Sequence, residues 1–252
     1  MSATVRQNIL ITGASSGLGK GMAMLYAKMG RNLALCARRV ERLETLKAEL
    51  EEINPTITVL IKSLDVNDHD AVFTVFNEFK QELGSLDRVI VNAGMGKGAS
   101  IGTGYFKANK ETAITNFVSA IAQCEAAVGI FRGQNAGHLV TISSISAVRG
   151  FGRALTVYAA TKAAITSLSE GIRIDLLRTP IKVSTIHPGF IRSEINEKVE
   201  KAPFMIDTET GCKAIIKAIE KEGTNSYVPA WPWAILNRVM RIMPLTWLAK
   251  MS

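Results

Sequence analysis

The chain is poor in the residues that cross-link a fold or bind a structural metal. Only three cysteines occur among 252 residues, and Cys36, Cys124 and Cys212 lie far apart without a Cys-x-x-Cys pair. A disulfide framework and a cysteine-based zinc site are therefore excluded, and reduced thiols in a cytoplasmic protein are expected. The three histidines show no spacing typical of metal ligands, so we expect no bound metal.

Long hydrophobic runs, a leader and blocks of like charge are also lacking. No run of about 18 apolar residues is present, so a membrane-spanning helix is not expected. Residues 1–8 are polar and lead directly into a strand, without the pattern of a signal peptide. The net charge of +8 is spread along the chain and forms no basic stripe. Nucleic acid is therefore not an expected partner, whereas an anionic ligand is compatible with this charge.

What the chain does contain is a regular alternation of short apolar runs and longer helical patterns. Each short run predicts a buried strand, and each longer stretch between two runs predicts a helix. This alternation indicates βαβ units, a parallel sheet and right-handed crossovers. We therefore predict an α/β protein with a single doubly wound Rossmann-type domain at residues 1–228, helices on both faces of its sheet, and an apolar tail at residues 229–252. Ligands of such sheets bind at the carboxyl ends of the strands.

A glycine-rich turn at residues 12–19, Thr-Gly-Ala-Ser-Ser-Gly-Leu-Gly, joins the first strand to the first helix. Gly13 permits a tight turn, Gly17 lets the backbone approach a pyrophosphate, and Gly19 allows close packing of the helix on the strand. The free amides at the start of the helix favour an anion. The turn thus predicts a dinucleotide site with contacts from Gly13, Ser15, Ser16, Gly17, Leu18 and Gly19.

The second strand ends in Cys36-Ala37-Arg38-Arg39, which bears on the choice of coenzyme. A free ribose 2′-hydroxyl needs an acidic residue near this point, whereas a 2′-phosphate needs arginine. Ala37 supplies no carboxylate, and the Arg38 guanidinium offers a fork suited to phosphate. We therefore predict NADP rather than NAD, bound by Arg38 and Arg39. The alternative is that both arginines only begin a solvated, charged helix.

Tyr158 and Lys162 form a Tyr-x-x-x-Lys pair inside a stretch, residues 157–177, that reads as a helix. Positions four apart share one helix face, so the phenol and the ammonium are expected in one environment. A neighbouring cation lowers the pKa of a tyrosine from its usual value of about 10. Such a tyrosine can act as a general acid and base. The alternative is a surface helix with an extended, solvated lysine.

Taken in order, these motifs resemble those of the short-chain dehydrogenase/reductase family, over approximately residues 7–230. The resemblance implies a seven-stranded parallel sheet, hydride transfer between a nicotinamide and a carbonyl or alcohol, and a homodimer or homotetramer built from the two helices that contain Lys110 and Tyr158. It is carried by the Thr-Gly-x-x-x-Gly-x-Gly turn at 12–19, Asp65, Asn92-Ala93-Gly94, Asn116, Ser144, Tyr158, Lys162 and Pro188-Gly189.

The resemblance also implies roles for individual residues. Tyr158 would protonate the substrate oxygen, Ser144 would hydrogen-bond it, and Asn116 would anchor a water. Lys162 would lower the Tyr158 pKa and hold the ribose hydroxyls. The implied catalytic set is Asn116, Ser144, Tyr158 and Lys162, and the further cofactor contacts are Asp65, Val66, Asn92, Ala93, Gly94, Pro188, Gly189, Ile191 and Ser193.

The sequence departs from the family pattern at two places that bear on these roles. The gap between Ser144 and Tyr158 is one residue longer than usual, so Ser143 and Ser146 remain alternatives for the serine role. The basic residue common in the glycine turn of NADP users is absent, because Ser16 stands there. This leaves NAD, or binding of the phosphate by Arg38 alone, as alternatives.

The tail contains all three tryptophans of the chain, and from Ala234 its apolar residues recur on one helical face. A helix packed on the domain or in a subunit contact, and a lid over an apolar substrate, are the two interpretations that we expect. Anchorage at a membrane surface is the third and less expected one. The polar loop at residues 192–207 is the predicted mobile substrate loop.

The leading functional prediction is an NADP-dependent oxidoreductase that acts on a carbonyl or alcohol of an apolar small molecule. One alternative is a 3-oxoacyl thioester reductase, for which the positive charge would help to bind an acidic carrier. The other is a non-catalytic NADP-binding regulator. The presence of all four catalytic residues argues against the regulator, because binding alone does not require them.

Overall fold

The apolar runs of the sequence form the strands of one sheet in the computed structural model, which describes residues 5–96, 98–194 and 202–249. Seven strands of the described residues are all parallel and follow the order β3-β2-β1-β4-β5-β6-β7. The order reverses between β1 and β4, where such sheets open a ligand crevice. The predicted seven-stranded parallel sheet is confirmed. The strands are β1 Asn8–Thr12, β2 Asn32–Ala37, β3 Val59–Ser63, β4 Arg88–Val91, β5 His138–Ile142, β6 Lys182–Pro188 and β7 Asn225–Val228.

Helices follow the strands and cover both faces of the sheet. One core lies on the side of α1, α2 and α7, and the other on the side of α3, α5 and α6. Ile9 and Ile11 face the first core and Leu10 the second, because successive strand residues point to opposite faces. The helices of the described residues are α1 Gly17–Lys28, α2 Val40–Ile53, α3 His69–Leu83, α4 Phe106–Ala113, α5 Ser119–Gln134, α6 Leu155–Asp175, α7 Thr208–Glu220, α8 Ala230–Ile242 and α9 Leu245–Leu248.

Local signals define several helix ends. The Asp68 carboxylate accepts from the Ala71 amide at 3.1 Å at the start of α3, and Asp207 accepts from the Thr210 amide at 2.8 Å at the start of α7. Gly84, with φ of 81°, ends α3. Residues of the sequence thus set both ends of α3 and the start of α7.

The helical run Phe106–Gln134 is long and apolar enough to cross a membrane by length and composition. Such a helix was not predicted, because the sequence contains no unbroken run of about 18 apolar residues. Inside the run, 44% of the most apolar window is buried, and Ala120, Cys124 and Phe131 pack in the core against α3 and the sheet. These contacts are those of a core helix.

The tail begins with α8, which packs one face on the domain through Trp233, Asn237 and Met240. The predicted substrate loop falls in part on residues 195–201, which lie outside the described residues, as do residues 250–252 of the tail. The domain boundary after residue 228 stays a prediction.

Candidate active site

The glycine turn packs so tightly that side chains are excluded from it. Gly13 and Gly17 have φ values of 65° and 53°, which favour glycine. A Cβ on Gly13 would come within 2.9 Å of the Ala93 Cα, and a Cβ on Gly19 would overlap the Gly13 carbonyl oxygen. The turn therefore keeps an open backbone surface at the start of α1, as a closely approaching pyrophosphate requires.

Asn92, at the end of β4, holds the glycine turn from behind. Its side-chain amide donates to the Thr12 carbonyl at 2.9 Å and to the Gly13 carbonyl at 3.3 Å. The Thr12 hydroxyl in turn accepts from the backbone amides of Asn92 and Ala93, both at 3.1 Å. These bonds fix the two central strand ends to each other across the crevice.

Arginines from the start of α2 reach the same turn. The Arg39 Nη2 donates to the Ser16 hydroxyl at 2.8 Å and to the Ser15 hydroxyl at 3.2 Å. The Ser16 side chain does not cap α1, and no acidic residue lies in its first turn, so the helix start keeps its positive character. Arg38 is exposed. Of the two predicted arginines, Arg39 contacts the turn.

Glu194 accepts hydrogen bonds from Arg39 and from Arg42, one turn further along α2. Arg42 Nη1 donates to the Glu194 carboxylate at 2.6 Å, and Arg39 Nη2 donates to its other oxygen at 3.1 Å. The hydrogen bond from Arg42, followed by those from Ser16 and Arg39, lowers the pKa of Glu194 to about 2. Sequence analysis missed Arg42 and Glu194, which lie outside every motif; the spacing of three residues between Arg39 and Arg42 is the only signal that could have indicated the pair.

Ser144 and Tyr158 meet at the carboxyl end of β5. Ser144 precedes a short 3-10 helix, Ile145–Val148, and its hydroxyl accepts from the Ser146 amide at 3.1 Å and the Ser146 hydroxyl at 3.0 Å. The Ser144 hydroxyl is also close enough to the Tyr158 phenol to exert a lowering influence on its pKa. Ser143, one of the two alternatives, donates instead to the Lys162 carbonyl at 2.9 Å. The geometry favours Ser144 over Ser143, and Ser146 supports it.

The predicted direction of the Tyr158 pKa was wrong. Burial raises the pKa of Tyr158, and the Ser144 hydroxyl offsets this only in part. Lys162 Nζ lies 5.7 Å from the centre of the phenol ring and donates to the Ile142 carbonyl at 2.9 Å, and its charge is not among the influences that shift the Tyr158 pKa. Burial lowers the pKa of Lys162 itself to about 8. Desolvation thus outweighs the attraction that the sequence spacing suggested.

Asn116 lies in a π-helical turn, Ile114–Val118, between α4 and α5. Its Oδ1 accepts from the Met95 amide at 2.8 Å, and its Nδ2 donates to the Met95 carbonyl at 2.9 Å and to the Thr161 hydroxyl at 3.3 Å. A Cβ on Gly94 would lie 3.2 Å from Asn116 Oδ1 and 3.7 Å from Lys162 Nζ. Asn116, Gly94 and Lys162 therefore surround one small space.

Asp65 and Val66 follow β3 at the same edge of the sheet. The Asp65 carboxylate is exposed and accepts from the Asn67 amide at 3.0 Å, whereas Val66 is buried. The Asn67 side chain accepts from the Ser119 hydroxyl at 2.7 Å, which joins this loop to α5. The structure therefore places Asp65 at the edge of the crevice with its side chain turned to solvent.

The loop after β6 forms the opposite wall of the crevice. The Gly189 amide donates to the Val228 carbonyl at 2.8 Å, and Ile191 is buried and bridges to Ile206. Ser193 lies against the glycine turn, since a Cβ on Gly17 would be 3.5 Å from the Ser193 Cβ. This wall contains the four residues predicted there, Pro188, Gly189, Ile191 and Ser193, and their contact with a coenzyme stays a prediction.

Aromatic side chains line the loop after β6. The Trp233 indole of α8 is packed so closely on Gly189 that a Cβ there would overlap it. Its ring contacts Phe190 and Phe204 edge to face, with centroid distances of 5.7 and 5.8 Å. Sequence analysis did not place Trp233 at the site, and nothing in its spacing indicates this contact.

Comparison with known proteins gives a consistent result. A family model described as short chain dehydrogenase matches residues 7–203. An uncharacterised oxidoreductase of Mycobacterium tuberculosis is 49% identical over 244 residues, covering 97% of this chain and 96% of that protein. An NADP-dependent 3-hydroxy acid dehydrogenase of Schizosaccharomyces pombe is 31% identical over 201 residues, covering 78% of this chain and 76% of that protein.

Among solved structures, a short chain dehydrogenase/reductase from Burkholderia phymatum in complex with NAD is similar in fold. The TM-score is 0.83 at 22% identity, with 95% of this chain and 94% of that chain covered. At this identity the likeness concerns the fold alone, and it agrees with the doubly wound sheet described above.

Proposed function

Because this chain belongs to the short-chain dehydrogenase family, we propose that it is an NADP-dependent oxidoreductase acting on a carbonyl or alcohol of an apolar small molecule. Membership makes it an oxidoreductase of CH–OH and C=O groups; the coenzyme and the substrate are the proposed parts. The observation that carries the proposal is the meeting of Ser144, Tyr158 and Lys162 at the crevice that the glycine turn opens.

The residues present fit a nicotinamide dinucleotide. A Cβ on Gly13 or Gly19 would overlap neighbouring backbone, so these glycines allow the close packing of the turn, and the lack of a Cβ on Gly94 leaves space beside Asn116 and Lys162. The uncapped start of α1 offers amides to a pyrophosphate. The Lys162 ammonium, which would lie 3.7 Å from a Cβ on Gly94, offers a donor suited to ribose hydroxyls. The bound coenzyme would supply the hydride.

Arg39 and Arg42 support NADP. They already hold one anion, the Glu194 carboxylate, next to the Ser15 and Ser16 hydroxyls. A phosphate would find the same charge-assisted donors there. The relatives do not decide this point, since the Schizosaccharomyces pombe enzyme is named NADP-dependent and the Burkholderia phymatum protein holds NAD.

Tyr158 is proposed to give a proton to the substrate oxygen in reduction and to take it in oxidation. Ser144 donates a hydrogen bond to the same oxygen and stabilises the charge that develops on it. Lys162 contributes a buried positive charge beside the phenol, and Asn116 keeps the Met95 backbone in place behind it. Phe190, Phe204 and Trp233 form an aromatic surface next to Gly189, which supports an apolar substrate.

Tyr158→Phe tests the catalytic assignment. It is expected to lower kcat by about a hundred- to ten-thousandfold while coenzyme affinity stays within a few-fold, because only proton transfer is removed. The measurement is NADPH oxidation against a panel of ketones, aldehydes and acyl thioesters. Tyr26→Phe, the same change on the far side of the sheet, is the control and should turn over normally. Undiminished activity of Tyr158→Phe would remove this residue from the reaction, and tight NADPH binding without turnover of any substrate would favour a regulator.

Arg39→Gln tests the coenzyme assignment. It is expected to weaken NADPH binding about ten- to a hundredfold and NADH binding little, because hydrogen bonds to a charged group are lost only with the phosphate. Arg38→Gln, the exposed neighbour, is the control with the smaller effect. Glu194→Gln should act in the opposite direction by removing a competing anion. An equal loss for both coenzymes would reject the 2′-phosphate assignment.

We also propose that the protein is cytoplasmic and forms a homodimer or homotetramer. The support for the first is that Cys36, Cys124 and Cys212 are all free and buried. The support for the second is that Val118 of the π turn and Ile121 of α5 are exposed, on the helical run that the family resemblance assigns to subunit contacts.

A further inference from the structure

The prediction of a single apolar face for the tail helix was wrong, because apolar side chains lie on two sides of α8 and only one side is covered. Trp233, Asn237 and Met240 recur at helical spacing and are buried against the domain. Ile235, Val239 and Ile242 recur at the same spacing on the other side and are exposed, with Ile242 at 85%. The apolar material of this helix therefore exceeds what its packing on the domain requires.

Tryptophans stand at both ends of the exposed stripe. Trp231 precedes it and is 72% exposed, and Trp247 of α9 follows it and is 64% exposed, with Leu245 beside it at 70%. We define Trp231, Ile235, Val239, Ile242, Leu245 and Trp247 as the outer tail face. Tryptophan is enriched where apolar and aqueous phases meet, since its ring is apolar and its N–H needs a polar partner.

The charged side chains within residues 223–252 have a single sign. Residues 223–252 contain no aspartate and no glutamate, but they include Arg238, Arg241 and Lys250. Arg238 and Arg241 are exposed, and neither enters an ion pair with the residues that the structure describes. An occupant of this face must accept apolar side chains and offer negative charge beside them.

We propose that the outer tail face binds the surface of an anionic lipid bilayer, with α8 lying in the plane of the headgroups. Exposed apolar residues between tryptophans, flanked by arginines, are the pattern of an interfacial helix. A second copy of this chain fits less well. In a two-fold contact this face would meet the same face of the other copy, and residues 223–252 supply no carboxylate to pair with the arginines.

The buried side of α8 connects this surface to the active site. Trp233 packs on Gly189, and Arg149 Nη1 donates to the carbonyls of Met240 at 3.1 Å and Arg241 at 2.8 Å near the end of the helix. Arg149 directly follows the 3-10 helix that begins after Ser144. The helix that we place on the bilayer therefore contacts both loops that flank the crevice, the one after β5 and the one after β6.

Vesicle flotation of the full-length protein tests the proposal. Binding is expected to vesicles of phosphatidylcholine mixed with phosphatidylglycerol, to be weak on phosphatidylcholine alone, and to fall as salt rises. Tryptophan emission should shift to the blue and be quenched by brominated acyl chains. Replacing both arginines, Arg238→Gln with Arg241→Gln, should weaken binding roughly thirtyfold, because each basic residue contributes about fivefold near an anionic surface.

Ile242→Glu should weaken vesicle binding at least tenfold. Its matched control is Leu177→Glu, which makes the same charge change at a leucine that is 72% exposed beyond the end of α6 and should bind as the wild type does. Tyr158→Phe should also bind normally, which separates membrane binding from catalysis. The proposal is overturned by absence of binding to anionic vesicles at low salt, by equal effects of the two glutamate variants, or by an Ile242→Glu variant that loses only self-association.

Discussion

Two buried cations lie at opposite ends of the sheet, and their surroundings differ. Arg88 begins β4 at the amino end and is 1% exposed. Its Nε donates to His138 Nδ1 at 2.9 Å, and its Nη1 donates to the Tyr26 hydroxyl at 3.0 Å and forms a close ion pair with Glu220. Glu222 lies 3.6 Å from Nη2. The charge of Arg88 is thus compensated by two carboxylates.

Lys162, at the carboxyl end, lacks such compensation. Its ammonium donates to the Ile142 carbonyl at 2.9 Å and lies over the Tyr158 ring. None of the ion pairs among the described residues includes it. Burial without a carboxylate is what lowers its pKa to about 8. The fold therefore compensates the charge of Arg88 but leaves the charge of Lys162 without a carboxylate. Ionisable groups whose pKa is shifted by burial in this way cluster at functional sites.

Removing Arg88 should have the largest effect on stability. Arg88→Met is expected to lower the free energy of unfolding by about 3–5 kcal/mol, because Glu220, Glu222 and His138 lose their buried partner. Urea denaturation measures this change. Arg88→Lys keeps the charge but loses the fork, so it should fall between the wild type and Arg88→Met. A loss below about 1 kcal/mol would mean that the network is no more than a surface ion pair.

Removing Lys162 should have the opposite sign. The difference between 10.5 and about 8, at about 1.4 kcal/mol per pH unit, corresponds to about 3 kcal/mol at pH 7. Lys162→Met is expected to gain up to that amount, reduced by the lost bond to Ile142, while turnover is abolished. Urea denaturation at pH 7 and an NADPH oxidation assay measure the two effects.

The pH dependence provides the check on Lys162. Between pH 8 and 10.5 the folded wild type has released the Lys162 proton and the unfolded chain still binds it, so wild-type stability should rise with pH in this window. Lys162→Met should lack that rise. A variant that is less stable than the wild type at pH 7 and retains the rise would show that Lys162 is not the strained group.

The comparison also separates what the sequence could predict from what it could not. The strands followed from apolar runs, whereas the set of Asn116, Ser144, Tyr158 and Lys162 was implied by the family resemblance; parallel strands end at one edge of the sheet, where a ligand crevice was expected. The resemblance indicated Asn116 but not its setting, a π turn in which its side chain accepts from the Met95 amide.

Three features depend on geometry that spacing does not contain. Arg39, and not the exposed Arg38, contacts the serine hydroxyls of the glycine turn, which depends on how the chain enters α2. Glu194, the partner of Arg39 and Arg42, lies more than 150 residues away in the sequence. The sign of the shift in the Tyr158 pKa rests on the burial of the phenol. In each case the residue type can be read from the sequence, but the burial or orientation of the side chain in the fold decides which groups it contacts.

His138 should give the smallest effect, and it tests the amino end by pH. Since Arg88 Nε donates to Nδ1, the imidazole is neutral, with its proton on Nε2 toward the Ser184 hydroxyl at 2.8 Å. Burial, then the charges of Arg88, Arg6 and Lys182, lower the pKa of His138 well below 6.5. Glu222 is the facing carboxylate, at 3.6 Å.

Below pH 6.5 the unfolded chain therefore binds a proton at His138 that the folded protein excludes, and stability should fall as pH falls. The expected contribution is about 1 kcal/mol per pH unit below that point. Urea denaturation between pH 6.5 and 5 should show a shallower slope for His138→Gln than for the wild type. Because Lys162 stays protonated throughout this range, any pH dependence of stability that the substitution removes belongs to the amino end of the sheet. Equal pH dependence in the wild type and His138→Gln would mean that His138 is not the group that the folded protein keeps unprotonated.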